Sequence, residues 1–315
     1  MTVSSAINIR DVVYRYGQRT ALRGISFSVA QGEIFALLGP NGGGKTTLFR
    51  LLSTLIPLQQ GDVRLLACDL RTQVREIQES IGVVFQVPSL DKKLTVLENL
   101  LYQGQLYGLS GKLLRSRSQV MLERLGLADR AHERTETLSG GLRRRVDVAK
   151  GMLHEPQLLL MDEPTTGLDP AARSDLWRYL EELRGESGVT ILVTTHLLDE
   201  ADRADRIAIL HQGTLVALDT PEKLRSTVGG DSLTIKTPQP TALAAAITDR
   251  FACPASVIDG SVRLELPEGH AWVARLVEAF PGKIESVTLG KPTLEDVFIA
   301  RTGHRFWQTQ EAGGG

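Results

Sequence analysis

The 315-residue sequence has few cysteines, few aromatic residues, no long apolar run and almost no net charge. Its two cysteines, Cys68 and Cys253, lie far apart in the chain, which excludes a disulfide framework and a cysteine-based metal motif. We expect both to be free thiols in a reducing compartment. Met1 to Asp11 lack a basic start and an apolar stretch, so we expect no signal peptide.

No run of residues approaches the roughly 18 apolar side chains of a membrane-spanning helix. We therefore expect any membrane-spanning partner to be a separate polypeptide. The net charge of −1 creates no basic field that would attract nucleic acid. The conspicuous basic run is Arg143–Arg145, whose side chains would spread around a helix axis. We favour a solvated helix face, open to contact with a partner protein, over contact with nucleic acid.

A glycine-rich loop is the clearest chemical signal. The residues GPNGGGKTT, 39–47, follow an apolar run of strand length and precede apolar residues at helical spacing. A strand, a glycine-rich turn and a helix together direct backbone N–H groups and the helix N-terminus at a phosphate. The residues predicted to bind ATP in this loop are Gly39, Asn41, Gly42, Gly44, Lys45, Thr46 and Thr47, with the Thr46 hydroxyl also a ligand of Mg²⁺.

Two further apolar runs end in polar side chains. The first, Gln157–Leu160, leads to Asp162 and Glu163, and the second, Ile191–Thr195, leads to His196. Buried parallel strands deliver such groups to the ligand-binding edge of an α/β sheet. Asp162 is predicted to hold Mg²⁺ through water, Glu163 to polarise the attacking water, and His196 to touch the terminal phosphate. The alternatives are an ordinary acidic strand end and a capped turn histidine.

The segment LSGGL, 138–142, precedes a helical pattern. Ser139, Gly140 and Gly141 would then form a helix N-terminus, which binds anions without a basic side chain. A plain N-cap at Ser139 is the alternative. Both readings can hold at once, because a cap and an anion use the same unpaired N–H groups.

These residues resemble the nucleotide-binding subunits of ATP-binding cassette (ABC) proteins over about Ile7 to Leu224. Six motifs occur in that family's order. They are the aromatic Tyr16, the phosphate loop, Gln86 in VVFQ, the signature LSGGL, the carboxylate segment LLLMDEPT with GLD after it, and His196. The resemblance implies an α/β fold: a P-loop NTPase core of the RecA-like type, an antiparallel β subdomain and a helical subdomain carrying the signature.

The resemblance also implies roles for individual residues. Tyr16 would stack on adenine, and Gln86 would sense Mg²⁺ and the attacking water and link the site to a partner. Glu163 would be the general base. Ser139, Gly140 and Gly141 would contact the ATP of a second, head-to-tail copy of the chain, with Asp169 at the dimer interface. ATP and Mg²⁺ are thus the implied cofactors, and a homodimer the implied assembly.

Two positions depart from the family pattern. Leu142 stands where many members have Gln, and Gly43 stands where Ala is common. Neither removes a catalytic group, but Leu142 leaves open how the signature helix is braced. Pro88–Leu100 and the signature region resemble the daunorubicin-resistance type of exporter ATPase. That likeness implies a peripheral protein on the cytoplasmic face of the membrane and a permease moving a drug, natural product, lipid or polymer.

The family docks its permease between Gln86 and about Tyr107, where Leu90, Leu94 and Leu97 are equally compatible with the core. A soluble ABC protein acting on DNA or ribosomes is the alternative function. One uninterrupted cassette speaks against it, since such proteins usually carry two cassettes or a long insertion. A non-hydrolysing binding module is disfavoured by Glu163 and His196.

The sequence patterns divide the chain into two predicted domains and a tail. Residues 7–29 alternate as antiparallel strands with turn signals at 16–17 and 23–24, and residues 72–136 carry helical patterns. We predict an ATP-binding domain over 1–228, with its helical subdomain at about 87–150. A small α+β domain over 229–303 reads β-α-β-β-α-β, the ferredoxin-like order, with a regulatory or dimer-stabilising role. A flexible tail over 304–315 is predicted last.

Overall fold

The structure is a computed structural model that describes residues 5–228, 230–266 and 268–306. The chain separates into two compact units between Leu215 and Val216. This division precedes the predicted boundary at 228/229, and the domain assignment remains a prediction. Most of the tail predicted over 304–315 lies outside the described residues.

Two sheets form the first unit. Its strands are β1 (Ser5–Tyr16), β2 (Arg19–Ala30), β3 (Ile34–Leu38), β4 (Gln60–Leu65), β5 (Cys68–Asp69), β6 (Ile81–Val84), β7 (Leu158–Asp162), β8 (Thr190–Thr195), β9 (Arg206–His211) and β10 (Thr214–Asp219), in which the division falls. One sheet is antiparallel, in the order β2-β1-β4-β5, and the other has the order β10-β9-β3-β8-β7-β6 with parallel pairs from β9 to β6.

The antiparallel strands predicted at the N-terminus are present, but one predicted turn is wrong. The chain turns at Gly17, between β1 and β2, whereas Gly24 lies inside β2 at a register shift between Val12 and Val13 of β1. The positive φ of 78° at Gly24 belongs to this bulge. Glycine thus marked an irregular backbone correctly, although the strand continues through it.

The helices of the first unit are α1 (Lys45–Leu52), α2 (Val74–Ser80), α3 (Val96–Leu106), α4 (Gly111–Arg124), α5 (Gly140–Met152), α6 (Pro170–Ser187) and α7 (Leu198–Ala201). Helices α3, α4 and α5 occupy the predicted helical subdomain. The helical reading of 72–136 missed β6, whose four residues are too few to show a strand period. None of the described helices is long and apolar enough to cross a membrane.

The parallel sheet positions the candidate site. Every residue of β3, β7 and β8 is buried, so these strands form the centre of the unit. Leu38 pairs with Thr195, and Asp162 pairs with Thr194, which places the carboxyl ends of the three strands at one edge. The phosphate loop, Glu163 and His196 directly follow these ends, at the edge where α/β sheets bind ligands.

The second unit contains α8 (Pro221–Ser226), β11 (Asp231–Lys236), α9 (Pro240–Phe251), β12 (Ala255–Ile258), β13 (Ser261–Leu266), α10 (Gly269–Ala279), β14 (Ser286–Gly290) and α11 (Leu294–Thr302). Its antiparallel sheet has the order β12-β13-β11-β14. Leu233, Ile235, Ile247 and Phe280 lie in its core. From β11 to β14 the element order is the β-α-β-β-α-β expected from the sequence. The ferredoxin-like assignment remains a prediction.

A close approach of β6 to α5 gives a test of the packing. A Cβ at Gly82 would lie 2.3 Å from the carbonyl oxygen of Gly151, whereas a Cβ at Gly185, within α6, meets no atom within 4 Å. We expect Gly82→Ala to destabilise the protein by about 1–3 kcal/mol through overpacking. Gly185→Ala should stabilise it by about 0.5–1 kcal/mol, because alanine is the better helix residue. Urea denaturation midpoints measure both, and an unchanged midpoint for Gly82→Ala would contradict the close approach.

Candidate nucleotide site

A cavity of about 490 Å³ opens at the carboxyl edge of the parallel sheet. Its wall includes eight of the residues predicted for nucleotide binding and catalysis: Tyr16, Asn41, Gly42, Gly44, Lys45, Thr46, Thr47 and Glu163. Tyr16 is 44% exposed and makes an edge contact with Tyr14. An exposed aromatic ring over a polar loop can stack on a flat ligand.

The backbone of the phosphate loop requires glycine. Gly42 and Gly44 have φ values of 79° and 107°, a region that other residues rarely adopt. A Cβ at Gly39 would lie 2.3 Å from the carbonyl oxygen of Leu210 in β9, so this residue is confined against the neighbouring strand. The loop leads directly into α1, whose N-terminus favours an anion.

Lys45 places one buried cation in the loop. Its Nζ donates to the carbonyl oxygens of Gly39, at 2.7 Å, and Pro40, at 3.2 Å, and lies 3.5 Å from Glu163 Oε1. Burial lowers the pKa of the Lys45 ammonium, and the Glu163 carboxylate opposes this effect. The cation is thus held within reach of both the loop and the carboxylate.

Glu163 is the point where the predicted catalytic side chains meet. Its Oε2 lies 3.0 Å from His196 Nδ1, accepts from the Thr166 hydroxyl at 3.2 Å and lies 3.5 Å from Gln86 Nε2. Its backbone φ is 43°, a strained region for a residue with a side chain. The structure therefore brings Lys45, Gln86, Glu163 and His196 together.

Asp162 lies one residue before Glu163 and is buried. Burial raises the pKa of its carboxyl, which the hydrogen bond from the Thr194 hydroxyl, 2.5 Å from Oδ1, counteracts. The same Thr194 oxygen accepts from the backbone N–H of Glu163 at 2.9 Å. Thr194, which the sequence analysis did not select, therefore aligns the Asp162 carboxylate directly and Glu163 through its backbone, from the adjacent strand β8.

The side chains near this edge fit a hard cation. Carboxylate, hydroxyl and amide oxygens from Asp162, Thr46 and Gln86 are the ligand types that Mg²⁺ prefers. No group of three or more His, Cys, Asp or Glu side chains suited to a metal occurs in the described part of the chain. A Mg²⁺ ion held here would complete its shell with water and phosphate oxygens, as it does in nucleotide sites.

The signature residues lie apart from this cavity. Ser139 is the N-cap of α5 and accepts from the backbone N–H of Leu142 at 3.3 Å, so the N-cap interpretation is correct. A Cβ at Gly141 would lie 3.0 Å from that of Ala172, beside the N-terminus of α6. Asp169 caps α6 by accepting from the Ala172 N–H. The structure thus places Ser139–Gly141 next to Asp169 and does not place them in the cavity wall.

The basic run at 143–145 differs from the solvated face that we favoured. Arg144 is buried, with 2% of its surface exposed, and donates to the backbone carbonyl oxygens of Phe85 and Gln86. Arg145 is half-buried and pairs with Asp175 of α6 at 2.7 Å. Both are committed to intramolecular contacts because α5 is covered by the Gln86 segment on one side and by α6 on another.

Five further residues of the cavity wall belong to none of the sequence motifs. Arg19, Thr20, Ala21, Arg23 and Gln212 complete the wall. Arg19 and Arg23 lie on β2, after Tyr16 at the end of β1. Their guanidinium groups make no hydrogen bond or ion pair with the described residues. Two unpaired cations in the wall of a phosphate-binding cavity add to its attraction for an anion.

Comparison with known proteins connects this geometry to a family. Residues 22–166 match the family model described as "ABC transporter". A daunorubicin resistance ATP-binding protein of Streptomyces coeruleorubidus is 37% identical over 97% of each chain. The linearmycin resistance ATP-binding protein of Bacillus subtilis strain 168 is 34% identical over 94% of this chain and 98% of that one. The Nod factor export ATP-binding protein I of Burkholderia orbicola strain AU 1054 is 36% identical over 94% and 97%.

Solved structures are similar to more than two thirds of the chain. The cbiO1 protein from Clostridium perfringens, part of the ABC transporter complex cbiONQ, superposes with a TM-score of 0.67 and 26% identity over 79% of this chain and 96% of that chain. The ATP-binding cassette MJ0796, in a dimeric post-hydrolysis state with ADP and Pi, superposes with a TM-score of 0.61 and 27% identity over 68% of this chain and 98% of that chain.

The alignment of the two carboxylates by Thr194 can be tested without a nucleotide. In Thr194→Val the buried Asp162 carboxylate loses its hydroxyl donor, and we expect a loss of about 1–3 kcal/mol in the free energy of unfolding. Thr190→Val is the matched control on the same strand, because the Thr190 hydroxyl accepts only from the neutral Gly32 N–H, at 3.0 Å. Chemical denaturation should rank Thr194→Val as the less stable protein, and the reverse order would contradict the role of this hydroxyl.

Proposed function

Because the chain belongs to the ABC transporter family of ATP-binding proteins, we propose that it is the ATP-hydrolysing subunit of an exporter, working as a homodimer on a separate permease. Members of this family hydrolyse ATP to power transport. The observation that carries the hydrolytic part is the convergence of Lys45, Gln86 and His196 on the carboxylate of Glu163. The exporter part rests on relatives that match nearly the whole chain.

Nucleotide binding uses the cavity at the sheet edge. Tyr16 stacks on the adenine ring, and the loop from Gly39 to Gly44 binds phosphate oxygens through its backbone N–H groups. Lys45 and Thr47 contact the phosphates from the start of α1. Thr46 and Gln86 would hold Mg²⁺ directly and Asp162 would hold it through water, and the ion would supply positive charge against the phosphates. The left-handed glycines, the buried cation and the oxygen donors support this assignment.

Hydrolysis depends on Glu163 as general base. The carboxylate accepts a proton from the water that attacks the terminal phosphate, and His196 binds that phosphate from the end of β8. Lys45 takes part in both phosphate binding and the positioning of Glu163, since its Nζ contacts both the loop carbonyls and Glu163. When Lys45 turns toward a phosphate, its hold on Glu163 weakens and the carboxylate becomes free to bind water.

The signature acts on a second copy of the chain. Ser139, Gly140 and Gly141 offer the N–H groups of the α5 N-terminus to the terminal phosphate bound by the partner, with Asp169 beside them at the interface. Their position outside the wall of the cavity in their own chain supports this arrangement. So does the dimeric state of a similar solved cassette. ATP closes the dimer and hydrolysis reopens it, which drives the permease between two states.

We place the permease surface in the stretch between Gln86 and about Tyr107. One groove in this stretch is lined by Leu94, Tyr102 and Leu106 together with polar residues such as Ser89 and Lys150. Val87, in the segment after Gln86, is 76% exposed. Leu90, Leu94 and Leu97 are half-buried, so none belongs wholly to the core, and Leu94 lines the groove. A groove that combines apolar and polar side chains fits an amphipathic helix from a membrane protein, which would hold the subunit at the cytoplasmic face of the membrane. The cargo is a drug, natural product, lipid or polymer chosen by the permease.

The role of Glu163 gives the first test of this function. Glu163→Gln keeps the side-chain size but cannot accept the proton, so ATP should remain bound, the dimer should persist and turnover should fall by orders of magnitude. Glu182→Gln, an exposed change on α6, is the control and should behave as wild type. Light scattering with ATP measures the dimer, and phosphate release measures turnover. Near-normal turnover in Glu163→Gln would contradict its assignment as general base.

The same variant identifies the partner. A tagged Glu163→Gln protein, purified with ATP from gently solubilised membranes, should carry a multi-span membrane protein at stoichiometric yield. Recovery only from the soluble fraction, with nucleic acid or ribosomes attached, would favour the alternative of a soluble ABC ATPase. Arg144 and Arg145 argue against that alternative, because both are engaged within the chain and are not displayed as a basic patch.

Mixed dimers test whether the signature acts across the interface. Lys45→Met disables the phosphate loop, whereas Ser139→Asp keeps an N-cap but places a carboxylate against phosphate. Each homodimer should be inactive. A dimer purified through one tag on each variant contains one intact pair of loop and signature, so turnover should return to about half of the wild-type value.

Glu182→Gln in place of Ser139→Asp is the control, since it leaves the signature unchanged, and its mixed dimer with Lys45→Met should show the same half of the wild-type activity. Mixed dimers no more active than the two homodimers would show that the loop and the signature act within one chain.

A further inference from the structure

The segment that carries Gln86 has no regular secondary structure after β6 ends at Val84. Its backbone groups therefore find their protein hydrogen-bond partners outside a helix or a sheet. Arg144, one turn into α5 from the signature, supplies two of them. Its Nη1 donates to the carbonyl oxygen of Phe85 and its Nη2 to that of Gln86, each at 2.6 Å.

Two more side chains on the same face of α5 extend this contact. Asp147 lies 3.3 Å from Arg144 Nη1, and its Oδ1 accepts from the backbone N–H of Ser89 at 3.1 Å and from the Ser89 hydroxyl at 2.9 Å. Lys150 Nζ donates to the carbonyl oxygen of Ser89 at 2.5 Å. We call Arg144, Asp147 and Lys150 the α5 clamp.

The α5 clamp is costly to bury. Arg144 and Asp147 are each 2% exposed. Burial lowers the pKa of the Arg144 guanidinium and raises the pKa of the Asp147 carboxyl, and each charge opposes the shift of the other. A buried ion pair of this kind adds little net stability compared with a well-packed apolar pair. Stability alone therefore does not account for the placement of two charges here.

The contact between Gln86 and Glu163 gives a reason for the position of Arg144. Gln86 Nε2 lies 3.5 Å from Glu163 Oε2, at the outer limit of a hydrogen bond. A small displacement of the Gln86 backbone would break this contact, and the Arg144 guanidinium bonds directly to that backbone. A planar guanidinium with two N–H groups fixes two neighbouring carbonyls at once, which a lysine ammonium does not.

We propose that Arg144 is a positioning residue for hydrolysis, which holds Gln86 against Glu163 and joins the signature helix to the Gln86 segment as one body. The proposal rests on the roles assigned to Gln86 and Glu163 above. Because Ser139 and Arg144 lie on one helix, a movement of the signature carries the backbone of Gln86 with it. Engagement of the signature by a partner's nucleotide thus reaches the catalytic carboxylate of the same chain.

A double-mutant cycle tests the proposal in the full-length protein. If Arg144 acts through Gln86, Arg144→Met should lower kcat by about tenfold or more with little change in KM for ATP, and adding it to Gln86→Ala should cause no further loss. Arg144→Lys retains the charge beside Asp147 but not the pair of carbonyl bonds, and should also show reduced kcat. It serves as the test variant if Arg144→Met does not fold.

Arg145→Met is the matched control, because it removes a guanidinium from the same helix together with its bonds to Asp175 and Tyr179. It should lower the denaturation midpoint without lowering kcat. Losses that multiply in the double variant would overturn the action of Arg144 through Gln86, as would wild-type kcat in a folded Arg144→Lys. Wild-type turnover in Gln86→Ala alone would contradict the role of Gln86 in hydrolysis, and with it the proposal for Arg144. An inactive wild-type protein would contradict the proposed function itself.

Discussion

The structure is organised around one partly buried carboxylate, Glu163. A carboxylate removed from water needs opposite charge or hydrogen-bond donors close to it. Here the donors come from separate parts of the chain: Lys45 opens α1, Gln86 follows β6, and His196 follows β8. They meet because β3, β8, β7 and β6 are neighbours in one parallel sheet, whose carboxyl ends lie at a single edge. The strand order is therefore a condition of the chemistry, and a sheet with another order would leave the carboxylate without its partners.

The helical subdomain is tied to this edge by polar contacts as well as by packing. Helix α5 approaches β6 so closely that a Cβ at Gly82 would collide with the carbonyl oxygen of Gly151. Farther along, its charged residues bind the irregular segment that follows β6. An irregular segment can change its path more easily than a strand, whereas a buried charged pair tolerates few alternative positions. The segment after β6 can thus deform, while the charged side chains of α5 restrict its position. This combination suits a segment that must move in a defined way.

The sequence predicted the groups that perform the chemistry better than the groups that align them. Gly39–Thr47, Asp162, Glu163 and His196 stand in patterns whose spacing follows from their task, and the structure places them at one edge. Thr194, Arg19 and Arg144 have no such pattern, because their roles depend on which strand or segment lies beside them. Arg144 was misread for this reason: a run of three arginines shows charge but not burial. Strand β6 was missed because its four residues lie directly after a helix.

The left-handed backbone of Glu163 has an evolutionary consequence. At a φ of 43°, glycine or asparagine would fit this position with less strain than glutamate does. A protein without a need for hydrolysis would gain stability by accepting either residue, since strained functional positions trade stability for activity. Descendants of this chain that lose turnover but keep nucleotide binding should therefore drift toward glycine or asparagine here. A glutamate at residue 163 therefore costs backbone stability that only a need for turnover would offset.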